Sequence, residues 1–407
     1  MKRNKGIRIY KSKVKRRGKR HSKFKSVMSI ALTIVIALGL AFLGYSAGAP
    51  ILDYFKNKDN YSSGTSEFIP SGGETSNANS SDSSEIPNES AVESNQPIVN
   101  TKNNFFAYTL TVDDLSSKTK LSNSLSSIKT NTSATAVVVP LRSSGGYLNY
   151  ASTIADAMTA GAVNSTISLD EIVDEIKTQG LKPIAEISAL ADNIYPRMYG
   201  DTAYRFENQE TLWLDNSPSN GGKPWMSAFS AGTKSYLSRI TAEISLAGFD
   251  EIICKDISFP LFRSSDLGYV GSMVKSETRY LALVDVANQI ISTAQQNNSN
   301  IMIEESAVKI INGTSEIYKP DEIENAVFIA KISLDEAGNT MPKANGEVSL
   351  AEGSNVDKVK IILGELKIVF GNKKVVPLII SNEFTEEEFT ILLSELSDGG
   401  YNSYIIE

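Results

Sequence analysis

Cysteine and histidine are nearly absent from this sequence. Among its 407 residues there is one cysteine, Cys254, and one histidine, His21. A lone cysteine excludes an intramolecular disulfide, and a chain of this size can bury a sufficient core without one. Because His21 lies close to the N-terminus, the rest of the chain cannot build a Ser-His-Asp triad, a Cys-His pair or a His-ligated zinc site. Catalysis there is limited to carboxylates, Lys, Tyr or an oxygen-ligated metal, and the sequence indicates no cofactor and no metal site.

Acidic residues are absent from the first 52 positions. Of the 40 basic residues 13 lie within residues 2–25, so 27 basic and all 47 acidic residues follow, a net charge of −20. Charge of that sign disfavours nucleic acid as a partner of the larger part. The basic tail (1–25) is interpreted as a cytoplasmic topology signal that rests on anionic lipid headgroups. RNA binding by the tail is the alternative.

Charge of either sign is missing between Lys25 and Asp53. The apolar run over residues 26–49 reaches the length of about 20 residues that a transmembrane helix needs. Since the basic flank stays in the cytoplasm, the rest of the chain is predicted to lie outside a single-pass cell-membrane anchor. A cleaved signal peptide is the alternative, because Ala47-Gly48-Ala49 resembles an A-x-A cleavage site.

Large apolar residues are scarce over residues 50–102, which are rich in Ser, Asn, Gly and Glu. Such a composition cannot bury enough surface to order itself, so it predicts a flexible stalk. From residue 103 to residue 407, short β-branched runs alternate with helical patterns, which implies buried parallel strands. Eight such strands predict an α/β fold, a (β/α)8 TIM-type barrel, rather than an open doubly wound sheet. The last helix is expected to be missing or replaced by the segment before the first strand.

The predicted strands share short, β-branched apolar composition. They are Phe105–Thr111, Thr135–Leu141, Pro183–Ala189, Glu251–Ile257, Ile301–Glu305, Val327–Ser333, Val375–Ser381 and Ser403–Ile406. The clearest helical patterns cover Ser168–Thr178, Thr233–Ala247, Ser276–Gln296, Val356–Phe370 and Thr385–Leu396. Ser168 with Glu171, and Thr385 with Glu388, have the spacing of capping boxes.

Charged residues gather where these strands end, which is the active face of such a barrel. Two carboxylates are the minimum for glycoside hydrolysis, and Asp256 and Glu305 are the predicted catalytic pair. Arg142, Glu186 and Lys255 are predicted to bind substrate. Adjacent strand residues point to opposite faces, so only one of Lys255 and Asp256 faces the barrel centre, unless a bulge redirects the other. The structural alternative is that these acids cap helices or pair with Lys and Arg.

The longest predicted loop, residues 191–232, follows the third strand and contains both tryptophans of the protein, Trp213 and Trp225. Aromatic faces stack on sugar rings as well as on other apolar ligands. Both tryptophans are therefore predicted to bind substrate. The alternative is that the aromatic residues of this loop only pack it onto the barrel.

Several segments resemble a known family. Gly248-Phe249-Asp250-Glu251-Ile252, followed by Ile257-Ser258-Phe259-Pro260, is similar to the signature of the bacterial putative glycosyl hydrolase domain, a (β/α)8 family related to the α-amylase-like barrels. Residues 183–187, residues 136–139 and the two tryptophan segments resemble further elements of that family. The resemblance spans roughly residues 103–407 and implies a barrel of glycoside-hydrolase type.

The polar positions of the family signature differ in this chain. The family's Asp on the fourth strand aligns with Lys255, and its Arg on the third strand aligns with Glu186. A central Lys255 is expected to pair with Glu186 or Glu305 and so to favour weak or absent hydrolysis. The fold therefore transfers and the activity does not.

Two functions remain open from the sequence, with a third less favoured. The first is a glycoside hydrolase, and the second is a catalytically degenerate barrel that binds glycan or a protein partner. The partner predicted for either is polysaccharide or peptidoglycan at the cell wall or surface. The third is a scaffold subunit of an envelope complex.

Overall fold

The computed structural model describes residues 104–319, 322–323 and 326–407. The predicted basic tail (1–25), transmembrane helix (26–49) and stalk (50–102) lie outside these residues. Within the described part of the chain, no helix combines the length and the apolar character needed to cross a membrane.

Ten strands are present in the described residues. They are β1 (Phe106–Thr109), β2 (Ala136–Arg142), β3 (Lys182–Ser188), β4 (Glu251–Lys255), β5 (Asn300–Ser306), β6 (Val327–Ile332), β7 (Thr340–Lys343), β8 (Gly346–Ser349), β9 (Val375–Ile379) and β10 (Tyr404–Ile406). Eight of them close into a parallel barrel in the order β1-β10-β9-β6-β5-β4-β3-β2, and β7 pairs with β8 as a separate hairpin. The predicted TIM-type barrel is confirmed, and each predicted strand overlaps one barrel strand.

Helices connect the barrel strands. They are α1 (Lys118–Asn131), α2 (Ala155–Thr159), α3 (Leu169–Thr178), α4 (Tyr195–Met198), α5 (Ala231–Leu246), α6 (Tyr280–Gln296), α7 (Ala307–Ile311), α8 (Leu334–Ala337), α9 (Asn355–Phe370) and α10 (Glu386–Asp398). The five predicted helices correspond to α3, α5, α6, α9 and α10. Helix α1 was not predicted, because its Ser-rich and Lys-rich sequence has only two buried apolar residues, Leu121 and Leu125.

Helix starts follow the capping chemistry of the sequence. The Ser168 hydroxyl accepts a hydrogen bond from the Glu171 amide, and the Glu171 carboxylate accepts one from the Ser168 amide. Thr385 and Glu388 form the same reciprocal pair at α10. Both predicted capping boxes are confirmed, and each cap of this kind contributes about 1 kcal/mol to stability.

The barrel interior has its own small apolar cluster, separate from the larger core between strands and helices. It consists of Phe105, Ala107, Ala136, Val138, Ile184, Ile253, Met302, Val327, Ile329, Val376, Leu378 and Ile405. Because side chains alternate along a strand, these residues identify the positions of each barrel strand that face inward. Cys254 faces outward into the larger core, where burial raises the pKa of its thiol to about 12.

Candidate active site

Five charged side chains stand at the C-terminal end of the barrel interior. Each lies two residues beyond an inward-facing apolar residue, so each also faces inward. They are Glu186 on β3, Lys255 on β4, Glu304 on β5, Lys331 on β6 and Glu407 after β10. We call these five residues the mouth cluster. Their position matches the end of a TIM-type barrel where active sites occur.

Two ion pairs organise the mouth cluster. The Lys255 ammonium lies 2.5 Å from the Glu186 carboxylate, and the Lys331 ammonium lies 2.5 Å from the Glu407 carboxylate. The Glu186 side chain is almost fully buried, whereas the other three keep between a quarter and about a third of their side-chain surface exposed. The expected pairing of Lys255 with Glu186 is present, and the mouth remains open to solvent.

Glu304 is the third carboxyl of the mouth cluster. Its burial raises its pKa from 4.5 to about 7, and the negative charge of Glu186 adds to that rise. The ammonium groups of Lys331 and Lys255 oppose the rise without cancelling it. The cluster thus contains a carboxyl that is about half protonated near neutral pH, next to two ion pairs.

Glu305, the sequence-predicted partner of Asp256, faces away from the barrel centre. Its carboxylate accepts a hydrogen bond of 2.7 Å from the Ser315 hydroxyl and one of 2.9 Å from the Ser306 amide. The Lys309 ammonium lies 3.6 Å from it. The structure therefore does not bring Asp256 and Glu305 together, and Glu305 instead fixes the segment around α7.

Asp256 follows the last residue of β4 and has a left-handed backbone, with φ of 58°. This conformation is uncommon for a residue other than glycine. Its carboxylate accepts a 2.6 Å hydrogen bond from the hydroxyl of Ser188, which ends β3 on the inward-facing side. Strand alternation alone would direct Asp256 away from the side of Lys255, so the left-handed turn is what redirects it.

Arg142, predicted to bind substrate, is completely buried. One terminal guanidinium nitrogen donates to the carbonyls of Ser188 and Ala189, and the other lies 2.5 Å from the Asp192 carboxylate. A register irregularity at the end of β2 accompanies this placement. Arg142 therefore holds the start of the long β3–α5 loop, and the closed structure leaves it no surface for substrate.

The two tryptophans of the long loop have different environments. Trp213 is completely buried, packs against Tyr204 and Phe262, and donates a 2.8 Å hydrogen bond to Asp266. Trp225 is half-buried and its indole N–H lies 3.3 Å from the Asp215 carboxylate. Packing therefore accounts for Trp213, as the alternative interpretation holds, whereas part of Trp225 faces solvent.

Sequence reasoning missed Glu304, Lys331 and Glu407 as neighbours. The available signal was a repeated spacing, in which a charged residue follows an inward apolar residue by two positions on five strands. The spacing was hard to use because parallel barrel strands are buried on both sides and carry apolar residues on both. The sequence therefore does not show which positions face inward. On β5, Ile301, Met302 and Ile303 give no alternation that distinguishes Glu304 from Glu305.

Comparison with known proteins concerns the fold of this barrel. Residues 107–308 match the model of the family described as putative glycosyl hydrolase domain. This part of the chain is similar to that family, and the barrel to which it contributes is glycosyl hydrolase-like. No curated protein matches the sequence.

Solved structures similar to this glycosyl hydrolase-like barrel include glycoside hydrolase domains. The PgaB (BpsB) glycoside hydrolase domain from Bordetella bronchiseptica aligns with a TM-score of 0.50 at 11% identity, over 75% of this chain and 94% of that chain. A hypothetical protein from Ruminiclostridium thermocellum aligns with a TM-score of 0.40 at 20% identity, over 48% and 95%. The glycoside hydrolase domain of PelA from Pseudomonas aeruginosa aligns with a TM-score of 0.38 at 13% identity, over 74% and 92%. At 11% identity, the likeness to the PgaB (BpsB) domain concerns the fold alone.

Proposed function

We propose that this barrel is a glycoside hydrolase that acts outside the cytoplasm on a cell-wall or surface polysaccharide, with Glu304 as its general acid. The observation that carries the proposal is the raised pKa of Glu304, about 7, at the mouth of the barrel. A general acid must hold its proton near the working pH and release it to the leaving oxygen. Burial of a carboxyl is the usual way in which proteins meet that requirement.

Glycoside hydrolysis also needs a carboxylate that stays ionised, as a base or as a nucleophile. Asp256 is our candidate for this role, because it follows β4, the neighbour of β5, and its carboxylate is held by Ser188. Glu186 and Glu407 are the other carboxylates of the mouth cluster, but ion pairs with Lys255 and Lys331 engage them. In this arrangement Lys255 and Lys331 balance the charge of the mouth while Glu304 keeps its proton.

A second candidate function is a barrel that binds glycan without hydrolysing it. It is favoured by the two ion pairs, because Lys255 and Lys331 neutralise two of the three carboxylates of the mouth cluster. A neutralised carboxylate is a poor base and a poor nucleophile. The two candidates differ in whether Glu304 and Asp256 support turnover.

The test compares adjacent glutamates of β5 in the full-length protein. Turnover of cell-wall glycan and of common α- and β-glycans is measured for the wild type and for Glu304→Gln, Glu305→Gln and Asp256→Asn. We expect Glu304→Gln to lower kcat by about 100-fold or more, as loss of a general acid does. Glu305→Gln is the matched control, since it makes the same chemical change on the outward face of the same strand.

Three outcomes separate the possibilities. Equal activity of Glu304→Gln and wild type excludes Glu304 as the acid, and loss of activity in Glu305→Gln alone restores the pair predicted from sequence. Binding of glycan with no turnover by the wild type establishes the second candidate function. Circular dichroism of each variant keeps loss of folding distinct from loss of chemistry.

The proposed location rests on the charge distribution of residues 1–53, with basic residues before the apolar run and acidic residues only after it. We expect protease added to intact cells that lack an outer barrier to remove the barrel and leave the basic tail protected. A mature protein that begins near Ile51 and is recovered in the medium would instead establish a cleaved signal peptide.

A further inference from the structure

A groove of about 650 Å³ lies between two long segments of the active face. One wall comes from the loop after β3 and the other from the segment after β4. Its lining includes Asp215, Asn216, Asn220, Trp225, Leu261 and Arg263. This volume is within the range of about 300–1,000 Å³ that is usual for small-ligand sites.

Hydrogen bonds fix the indole of Trp225 in this groove. One Asp215 oxygen lies 3.3 Å from the indole nitrogen, and the other accepts a 2.7 Å hydrogen bond from the Lys223 amide. The turn between these residues is tight, because a Cβ atom at Gly222 would lie 2.0 Å from the Asn216 carbonyl oxygen. The aromatic face is therefore presented by a loop of defined shape.

Arg263 joins the two walls of the groove. Its guanidinium donates to the Leu214 carbonyl on the first wall, at 3.2 Å, and to Asp266 on its own wall, at 2.6 Å. Asp266 also accepts the indole hydrogen bond of the buried Trp213. The groove is thus held by cross-links before any ligand arrives, which lowers the entropic cost of binding.

We propose that the Trp225 groove is a subsite for a pyranose unit of a glycan chain whose neighbouring units occupy the mouth cluster. A half-exposed indole and two exposed asparagines, Asn216 and Asn220, line the same groove. Together they provide the two contacts that a sugar ring uses, stacking on its CH face and hydrogen bonds to its hydroxyls. Both walls follow β3 and β4, the strands that carry Glu186 and Lys255, so groove and mouth share one face of the barrel. The inference rests on the proposed function and specifies its substrate as an extended chain.

Trp225 provides its own readout, because the protein has only two tryptophans and Trp213 is completely buried. Tryptophan fluorescence of the full-length protein, in a Glu304→Gln background that prevents turnover, is titrated with chitohexaose, cellohexaose and maltohexaose and with the corresponding monosaccharides. We expect at least one hexasaccharide to shift the emission at concentrations where its monosaccharide does not. Trp225→Ala lacks the reporting indole, so it and its parent are compared by isothermal titration calorimetry. Its affinity for that hexasaccharide should be roughly tenfold lower, which is what one aromatic contact of about 1.4 kcal/mol supplies.

Tyr269→Ala is the matched control, since Tyr269 is an exposed aromatic residue of the same β4 segment that does not line the groove. It should bind the hexasaccharide like its parent. Unchanged affinity of Trp225→Ala, or no emission change with any of the three hexasaccharides, overturns the proposal.

The groove and the catalytic proposal fail separately. If the protein binds a hexasaccharide through Trp225 but hydrolyses none of the glycans, the hydrolase proposal is wrong and the subsite proposal stands. If wild type and Trp225→Ala hydrolyse a hexasaccharide with the same KM, the subsite proposal is wrong and the hydrolase proposal stands.

Discussion

Two charged clusters occupy the same end of this barrel and differ in how they are sealed. The Arg142–Asp192 pair is completely buried, and both terminal nitrogens of the guanidinium have protein partners. The mouth cluster is partly open and has three carboxyls for two ammonium groups. One cluster is closed and balanced, whereas the other keeps a carboxyl without a cation of its own.

Whether a charged cluster is sealed or open distinguishes structural from functional residues better than the presence of charge alone. Both clusters follow strand ends, and from sequence both looked like candidates for substrate binding. A buried pair with excellent geometry holds a loop and offers nothing to a ligand. A carboxyl left over after pairing takes up a proton instead, which is the property that acid catalysis requires.

The largest effect is expected at the sealed cluster. Arg142→Ala should lower the free energy of unfolding by about 3–5 kcal/mol, because it leaves the Asp192 charge buried without its partner. Urea unfolding of wild type and variant measures this difference. A loss below about 1 kcal/mol would place Arg142 among ordinary surface ion pairs and remove the contrast between the two clusters.

The pH dependence of stability should distinguish Glu304. Its folded pKa of about 7 lies above its value of 4.5 in the absence of the fold, so the folded state binds the proton more tightly. The stability that this adds is present below pH 4.5 and is lost as the pH rises through 7. Relative to Glu304→Gln, the wild type should lose about 3 kcal/mol of unfolding free energy over that interval. A difference that is flat, or that grows with pH, would contradict the raised pKa.

A smaller effect is expected when one cation of the mouth cluster is removed. The Lys331 ammonium lowers the pKa of Glu304, so Lys331→Met should raise that pKa by about one unit. Activity should fall as the pH rises and Glu304 loses its proton, and in Lys331→Met this fall should move to higher pH by the same amount. A shift to lower pH would mean that Lys331 does not act on Glu304 through its charge.

The smallest effect is expected at an exposed ion pair far from both clusters. Lys360 on α9 lies 2.9 Å from Glu395 on α10, with both side chains well exposed. Lys360→Ala should leave the free energy of unfolding almost unchanged, because solvent screens such pairs. A loss comparable with that of Arg142→Ala would show that burial does not determine how much an ion pair contributes to the free energy of unfolding.

Much of the scaffold could be predicted from sequence because it depends on local signals. Eight β-branched runs, the longer helical patterns and two capping boxes identified the barrel, and the capping residues Ser168 and Thr385 start their helices as expected. The positions of strand ends then defined the active face. Each of these features depends on residues a few positions apart.

The site was less accessible, since it depends on side-chain direction and on partners distant in sequence. The phase of β5 decides between Glu304 and Glu305, and its apolar residues on both faces hide that phase. Burial of Arg142 depends on Asp192, which is 50 positions away. The redirection of Asp256 depends on its left-handed backbone conformation, which the neighbouring residues in the sequence do not predict.

The most direct test of the account is the pKa of Glu304 itself. Carboxyl carbon shifts of glutamate-labelled protein can be followed by NMR from pH 4 to pH 9, with Glu304→Gln to identify the resonance. We expect a midpoint of about 7 for Glu304, well above the value of about 4.3 that is usual for glutamate. A midpoint near or below that usual value would show that Glu304 is ionised at neutral pH, and it would contradict the assignment of Glu304 as the general acid.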